Sequence, residues 1–234
     1  MDDGRDSTDS ARLEAFSDGV FAIAVTLLIL EIKVPHVAHG ESLWSALGDQ
    51  WPSYAAYVVS FLVIGIIWVN HHQVFSQVVR VDRALMFLNL LVLMIVAAMP
   101  WPTAMLAEYL REEDASHVAA AVYSLTMVAS AFAFQALWWH LTRTGHLFHP
   151  RVDTDAARRT RARFALGSLA YPATVGLAFV SAPWTLAAHG VIALYYGFNQ
   201  VPVPIRQDPG SSDAREGPDG SDGPDGSDGS RDLA

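Results

Sequence analysis

The chain has 234 residues, of which 52% are hydrophobic and 17% are charged, and its net charge is −9. Each membrane-spanning helix needs about 20 predominantly apolar residues, and several such runs occur, so an ordinary soluble domain is excluded. Cysteine is absent, which excludes disulfides, thiolate catalysis and cysteine-bound metals, and no basic patch with interleaved aromatic residues indicates a nucleic-acid partner.

The apolar runs predict six transmembrane helices, and therefore an all-α polytopic membrane protein. Pro100 and Pro102 interrupt the third span near its end, and a short turn around Ser181 joins the last two as a tight hairpin. We predict a disordered acidic N-terminus over residues 1–11, a six-helix transmembrane domain over 12–205 and a disordered Pro/Asp/Gly/Ser tail over 206–234. The predicted spans are 16–34, 54–70, 84–106, 118–141, 164–182 and 184–201.

The basic residues indicate how these spans are oriented. In a six-span arrangement, 13 of the 15 basic residues lie on the side of the two termini, and only Lys33 and Arg111 lie opposite. Since basic loops stay in the cytoplasm, both termini are predicted to be cytoplasmic. The N-terminus lacks the basic region and cleavage site of a signal peptide, so we expect the first span to be retained.

Four residues of the first span form one stripe on a helix. Ile23, Thr26, Leu27 and Leu30 follow the i, i+3, i+4, i+7 spacing. One interpretation is an ordinary packing face against a neighbouring helix. The other is a pore, in which a symmetric oligomer would turn the stripe into a hydroxyl ring and apolar rings that gate by dewetting.

Polar residues gather at the start of the first span and at the end of the second. An ionisable residue at membrane depth needs a partner, but Arg12 and Asp18 are separated by about 240° around one helix and do not face each other. Because the second span runs back toward the cytoplasm, its final residues reach the same depth. The polar residues of the first span are Arg12, Ser17 and Asp18, with Phe16 at the same depth, and those of the second span are Trp68, Asn70, His71 and His72.

Two interpretations of these polar residues stay open. In one, Arg12 and Asp18 find partners in the second span, and the network anchors the first helix. In the other, Ser17 or Asp18 only caps a helix start. His71 and His72 are neighbours and point about 100° apart, so we predict no metal site there. The remaining histidines, among them His140 and His189, lie near span ends, where solvation suffices.

The run of arginines after the fourth span is an ordinary topology signal that can also contact lipid. Arg158, Arg159, Arg161 and Arg163 lie on the predicted cytoplasmic side, where anionic headgroups attract basic segments. The lipid bilayer, with anionic lipid at these arginines, is therefore an expected partner.

The motif Arg12-x-x-x-Phe16-Ser17-Asp18-Gly19, which runs into an apolar helix, resembles the opening signature of the transmembrane protein 175 family of potassium channels. The element Trp68-x-x-His71-His72-x-x-Phe75 is similar to the end of the family's second span. Asn89-Leu90-Leu91 and the turn at residues 100–103 are similar to its third.

This resemblance implies a potassium-permeable cation channel in a prokaryotic cell membrane, built as a homotetramer with span one lining the pore. Ile23, Leu27 and Leu30 would form the hydrophobic constriction, and Thr26 would form a hydroxyl ring. The motif residues Arg12, Phe16, Ser17 and Asp18 would hold span one against the protomer. The only bound species implied is permeant K+, with no cofactor.

The sequence also leaves room for two other functions. A secondary transporter or proton-coupled cation carrier would suit the helix break at Pro100, but no acidic residue lies near a span centre. An intramembrane enzyme would need a nucleophile paired with a base, and the serines of the spans lack a neighbouring His or Asp at helical spacing. We therefore predict that the protein is not an enzyme. These serines are Ser60, Ser124, Ser130 and Ser168.

Overall fold

The computed structural model describes residues 3–37, 39–40, 42–160, 169–198 and 203–205, with side chains from residue 10 onward. Within those ranges the chain is helical, with turns and two isolated antiparallel β-bridges, Val78 to Phe148 and Val152 to Ile205. A further helical segment covers residues 154–160. The other helices are α1 (Asp3–Leu27, continued by a 3₁₀ turn, Leu28–Glu31), α2 (Leu43–Asp49), α3 (Trp51–Phe75), α4 (Arg83–Ala98), α5 (Pro100–Tyr109), α6 (Glu113–Thr144), α7 (Ala170–Ala178) and α8 (Ala182–Phe198).

Four helical segments are long and apolar enough to cross a membrane, judged by length and composition. They coincide with the first four predicted spans, so the chain is a helical, multi-pass membrane protein. The fifth predicted span lies partly in residues 161–168, outside the described ranges, and its described part contains α7. The sixth corresponds to α8, which is 17 residues long, so six spans remain a prediction. The four segments are Ser10–Glu31, Trp51–Phe75, Arg83–Tyr109 and Glu113–Thr144.

The first helix begins earlier than the hydropathy pattern suggests. It starts at Asp3, inside the segment that the sequence predicted to be disordered through residue 11. Once a helix is nucleated, each further residue adds a hydrogen bond at little cost, so a membrane helix extends into the polar flank. The tail over 206–234 lies outside the described residues.

Local signals explain where the spans begin and end. The carboxylate of Asp82 accepts the backbone N–H of Leu85 at 2.7 Å, which caps the start of α4. At the other end of its span, Pro100 cannot donate a backbone hydrogen bond, and the helix is interrupted at Met99 before α5 continues. Helix α6 ends at Gly145, whose φ of +68° is a conformation that glycine adopts without strain.

Helices α1 and α3 pack antiparallel, as two pairs between them and one pair just beyond the end of α3 show. Ser10 bonds to the carbonyl of Val78, Glu14 lies beside His72 and Asp18 lies beside Trp68, so the residue numbers rise on one helix as they fall on the other. Phe21, Ala24 and Leu28 of the first helix segment are buried in the hydrophobic core that this packing forms. The polar ends of both helices are thereby brought to the same depth.

Candidate functional site

The first transmembrane segment has one buried face and one exposed face. Phe21, Ala24 and Leu28 are at most 2% exposed and pack into the core. The predicted stripe lies on the other side. There Ile23 is 61%, Leu27 is 41% and Leu30 is 70% exposed, and Thr26 is exposed too. The stripe is therefore not a packing face against another helix of the same protomer.

The hydroxyl of Thr26 is oriented by its own helix. Its Oγ1 donates to the carbonyl oxygen of Ile23 at 2.9 Å. A hydroxyl has one hydrogen and two lone pairs, so this bond commits the hydrogen and leaves an acceptor on the exposed face. A threonine held in this way can accept from water or coordinate a cation.

The structure joins Asp18 of α1 to Trp68 of α3. The indole Nε1–H of Trp68 donates to the Asp18 carboxylate at 2.8 Å. One turn away on each helix, His72 Nδ1 lies 3.1 Å from a Glu14 carboxylate oxygen. The Trp68 and His72 rings stack on each other with centroids 5.7 Å apart. Two carboxylates of α1 thus meet two ring N–H groups of α3.

A second, buried chain of hydrogen bonds joins three helices. Asn89 of α4 donates through Nδ2 to Ser17 Oγ at 2.9 Å, and Ser17 in turn donates to the carbonyl of Leu13 at 2.8 Å. The Asn89 carbonyl oxygen lies 2.7 Å from His71 Nε2. Since an amide oxygen only accepts, His71 must carry its proton on Nε2. Ser17, His71 and Asn89 are all fully buried.

The direction of these hydrogen bonds leaves one polar atom of His71 without a partner among the described residues. His71 Nδ1 is buried and makes no hydrogen bond among the described residues. The His71 ring is instead enclosed by aromatic rings, stacked on Phe75 with centroids 4.1 Å apart and 5.3 Å from Phe21. The chain of donors therefore runs in one direction, from His71 through Asn89 and Ser17 to the α1 backbone.

Other predicted site residues lie outside these contacts. Arg12 is exposed and makes no hydrogen bond or ion pair to a described residue, and Phe16 is 55% exposed. Both lie on the same side of α1 as the stripe. Asn70 donates to the carbonyl of Ile66 within its own helix. Ser17 and Asp18 lie far inside a helix that begins at Asp3, so the capping interpretation is wrong.

Sequence reasoning missed Glu14, and it noted Asn89 only through a family likeness. Glu14 is one turn before Asp18, and that i, i+4 spacing was a usable signal. Asn89 is a single polar residue in the apolar run of α4, and ionisable or amide residues in such runs usually make helix–helix contacts. The partners of Glu14 and Asn89 cannot be identified from the sequence of one helix alone.

Two expectations about histidines need correction. His189 is 1% exposed, and its Nε2 lies 3.0 Å from the hydroxyl of Ser124 in another helix, so a serine of the spans does have a histidine partner. His140 likewise lies 2.8 Å from the Asp82 carboxylate. Spacing along one helix cannot reveal such contacts between helices. The His189 Nδ1 has no bonding partner in the described part of the chain, so the Ser124–His189 pair has no orienting acid.

Hydroxyl groups also meet inside the helix bundle. Ser60 lies 3.0 Å from the hydroxyl of Tyr123 and accepts from Thr103 at 2.8 Å, and Thr103 lies equally close to the carbonyl of Met99 at the helix break. These contacts tie α3, α5 and α6 together. Across the described residues, no three His, Asp or Glu side chains gather as a metal site would require.

The structure is a helical bundle with several membrane-spanning segments. An exposed apolar stripe runs along its first helix, and buried polar contacts lie behind that stripe. These features define a multi-pass membrane protein. A family model described as the endosomal/lysosomal potassium channel TMEM175 matches residues 12–100. A potassium channel of Streptomyces collinus is 82% identical over 199 residues, which cover 85% of this chain and 97% of that protein. The chain belongs to the TMEM175 family.

Two further comparisons agree with this assignment. The crystal structure of a lysosomal potassium-selective channel TMEM175 homolog from Chamaesiphon minutus superposes with a TM-score of 0.73 at 41% identity, over 82% of this chain and 98% of that one. The endosomal/lysosomal proton channel TMEM175 of Gallus gallus is 38% identical over 151 residues, which are 60% of this chain and 28% of that protein. The family is one of ion channels, which fits the prediction that the chain is not an enzyme.

Proposed function

We propose that this protein is a potassium-permeable cation channel that conducts K+ passively through a pore lined by its first span. The observation that carries the proposal is the exposed stripe Ile23, Thr26, Leu27 and Leu30, on a helix whose opposite face is buried. A close bacterial relative is named a potassium channel, and the likeness covers nearly all of that relative.

The pore requires several copies of the chain, and we propose a homotetramer. Four copies of the stripe around one axis give apolar rings at Ile23, Leu27 and Leu30 and a hydroxyl ring at Thr26. Apolar rings control water entry and so gate the path, while oxygen atoms replace part of the hydration shell of the ion. The outward acceptor of Thr26, described above, suits this second task.

Arg12 and Phe16 complete the exposed face of α1, and we propose that they contact neighbouring protomers. The bonds of Ser17 and Asp18 to Asn89 and Trp68 hold the helix from behind. A helix held rigidly on one side presents its other side reproducibly to a symmetry axis.

The proposed channel spans a prokaryotic plasma membrane six times, with both termini in the cytoplasm. The distribution of basic residues supports this topology. On it, Arg158 and Arg159 face anionic cytoplasmic headgroups, and Arg161 and Arg163 belong to the same basic run but lie outside the described residues.

The test is ion flux through the purified protein in liposomes. Liposomes loaded with K+ and diluted into Na+ medium, with a protonophore and a pH-sensitive dye, should take up protons as K+ leaves. Proton uptake without the protonophore would show that the protein carries protons as well as K+; the avian relative is named a proton channel. Flux that saturates and requires a second ion would identify the alternative, a secondary transporter or proton-coupled carrier. A mass measurement of the complex tests the tetramer.

The stripe is tested in the same assay with a matched pair of variants. Leu30→Asn makes the narrow apolar ring wettable and should raise K+ flux severalfold. Leu194→Asn places the same change on an exposed leucine of α8 and should leave flux unchanged. Equal effects of the two variants, or none from Leu30→Asn, would refute the pore assignment.

A further inference from the structure

The short helix α2 lies at the end of the bundle opposite the polar contacts between α1 and α3. Two ion pairs mark this end. Lys33, just beyond the first span, lies 3.1 Å from Glu108 of α5, and Arg111 lies 3.6 Å from Asp49, the last residue of α2. All four charged side chains are exposed. Since charged groups are costly inside the hydrocarbon, these pairs indicate the level at which the spans reach water.

Local contacts define α2 as a helix that rests lightly on the bundle. The hydroxyl of Ser42 accepts the backbone N–H of Trp44 at 3.2 Å and caps the start of the helix. At the other end, the guanidinium of Arg111 also donates to the backbone carbonyl of Asp49 at 3.4 Å. All residues of α2 belong to the described part of the chain, and among them Ala46 alone is buried. The helix therefore packs against the protein along a narrow line.

The larger apolar side chains of α2 share one face, which the protomer leaves open. Leu43 is exposed and Trp44 is 85% exposed, while Leu47, one turn later, is half-buried. These positions lie within an arc of about 100° around the helix. Ser45 and Asp49 lie outside that arc and are exposed too. The short helix is therefore amphipathic, and its apolar face is not packed within the protomer.

The chain leads directly from this face to the exposed side of a membrane-spanning helix. A single residue, Gln50, separates α2 from Trp51, the first residue of α3. Trp51, Val58 and Phe61 are exposed and lie on one side of α3 by their helical spacing. The exposed apolar side of a membrane span contacts acyl chains unless another copy covers it. The apolar face of α2 thus adjoins a surface that lipid can cover.

We propose that α2 lies in the bilayer interface, with Leu43, Trp44 and Leu47 at the boundary between the headgroups and the acyl chains. Amphipathic helices bind at this depth by burying their apolar side while the polar side stays in water. Tryptophan is favoured there because its ring is apolar and its indole N–H can bond to headgroups or water. Ser45 and Asp49 then face the aqueous side, where Asp49 meets its arginine partner.

The experiment measures the depth of α2 in the full chain with nitroxide labels, which the absence of native cysteine makes specific. Trp44→Cys and Ser45→Cys are labelled separately and placed in phosphatidylcholine nanodiscs. Power saturation then compares collisions with oxygen, which concentrates in the hydrocarbon, and with a water-soluble nickel chelate. The ratio of oxygen to nickel collisions should be severalfold higher at position 44 than at position 45, which is the matched control on the polar face.

Two results would overturn the proposal. Equal ratios at positions 44 and 45 would show that α2 does not lie with one side in lipid. Shielding of position 44 from both oxygen and nickel would show that protein, such as a second copy of the chain, covers the face. Because Trp44→Cys removes the indole ring, Leu43→Cys repeats the measurement with that ring present. A label at position 43 with the ratio of position 45 would contradict the interfacial placement.

Discussion

Trp68 donates its indole N–H to the carboxylate of Asp18, and this 2.8 Å bond links the first and second membrane-spanning segments near their polar ends. The acceptor side chain is half-buried, while the donor belongs to a rigid ring that stacks on His72. Such an arrangement fixes the rotation of α1 about its own axis. That rotation decides which residues of α1 reach the exposed face.

The Asp18–Trp68 bond should contribute measurably to stability. Asp18→Asn weakens the acceptor and Trp68→Phe removes the donor, and each should lower the free energy of unfolding by about 0.5–1.5 kcal/mol, the usual net contribution of one hydrogen bond. The measurement is reversible unfolding in mixed micelles. The double variant should cost less than the sum of the two single changes, and strict additivity would show that the bond contributes nothing.

Substitution of Asn89 should lower the free energy of unfolding more than substitution of Asp18 or Trp68. Asn89→Leu keeps the approximate volume but leaves His71 Nε2 without its acceptor and Ser17 without its donor, deep in the protein. A buried polar group without a partner costs about 1–3 kcal/mol. We expect a loss of about 2–4 kcal/mol in the same unfolding experiment. As a control, Asn70→Leu removes an amide whose hydrogen bond among the described residues is to its own helix, and it should cost under about 1 kcal/mol.

Substitution of Thr26 should change the ion selectivity of the channel more than its conductance. Thr26→Val keeps the shape and removes the hydroxyl, so the proposed ring loses its oxygen ligands while the apolar rings at Leu27 and Leu30 stay. We expect a reduced preference for K+ over Na+, measured as the shift in reversal potential in planar bilayers. Thr26→Ser retains the hydroxyl and should keep most of the preference. Identical reversal potentials for Thr26→Val and wild type would remove Thr26 from the ion path.

The sequence predicted the helical membrane fold and some of the polar contacts between helices. The contacts that it did not predict were missed for a physical reason. Hydropathy located four spans because burial in lipid demands long apolar helices. The antiparallel course of the first two spans was enough to place Asp18 near Trp68. It could not identify Asn89 as the link between Ser17 and His71, because that contact depends on how a third helix packs.

The expectation that His189 is solvated was wrong for the same reason, because its partner Ser124 lies on another helix. Spacing along one helix describes only neighbours within about one turn, while a buried side chain finds its partner on whichever helix packs against it. The exposure of the Ile23 stripe was likewise undecided by the sequence, because a periodic apolar face looks the same whether it packs inside a protomer or is left open.

The contact between Asp82 and His140 makes stability depend on pH. Partial burial alone would raise the pKa of Asp82, but the hydrogen bonds from the Leu85 N–H and His140, together with the positive charge of His140 and His146, outweigh it and lower the pKa below its ordinary value of 3.8. A carboxyl whose pKa is depressed by folding stabilises the folded state above its unfolded pKa. That contribution is lost as the pH falls through the folded value. Wild type should therefore exceed Asp82→Asn in unfolding midpoint near neutral pH, and the difference should shrink as the pH falls below 3.8.

The control is the same comparison in a His140→Gln background. One of the hydrogen bonds and one of the charges that depress the pKa of Asp82 are then absent, so the midpoints with and without Asp82→Asn should lie closer together at neutral pH. They should also converge over a narrower range of acid pH. A difference that is independent of pH in both backgrounds would mean that Asp82 acts only as the cap of α4, through a bond that asparagine can replace.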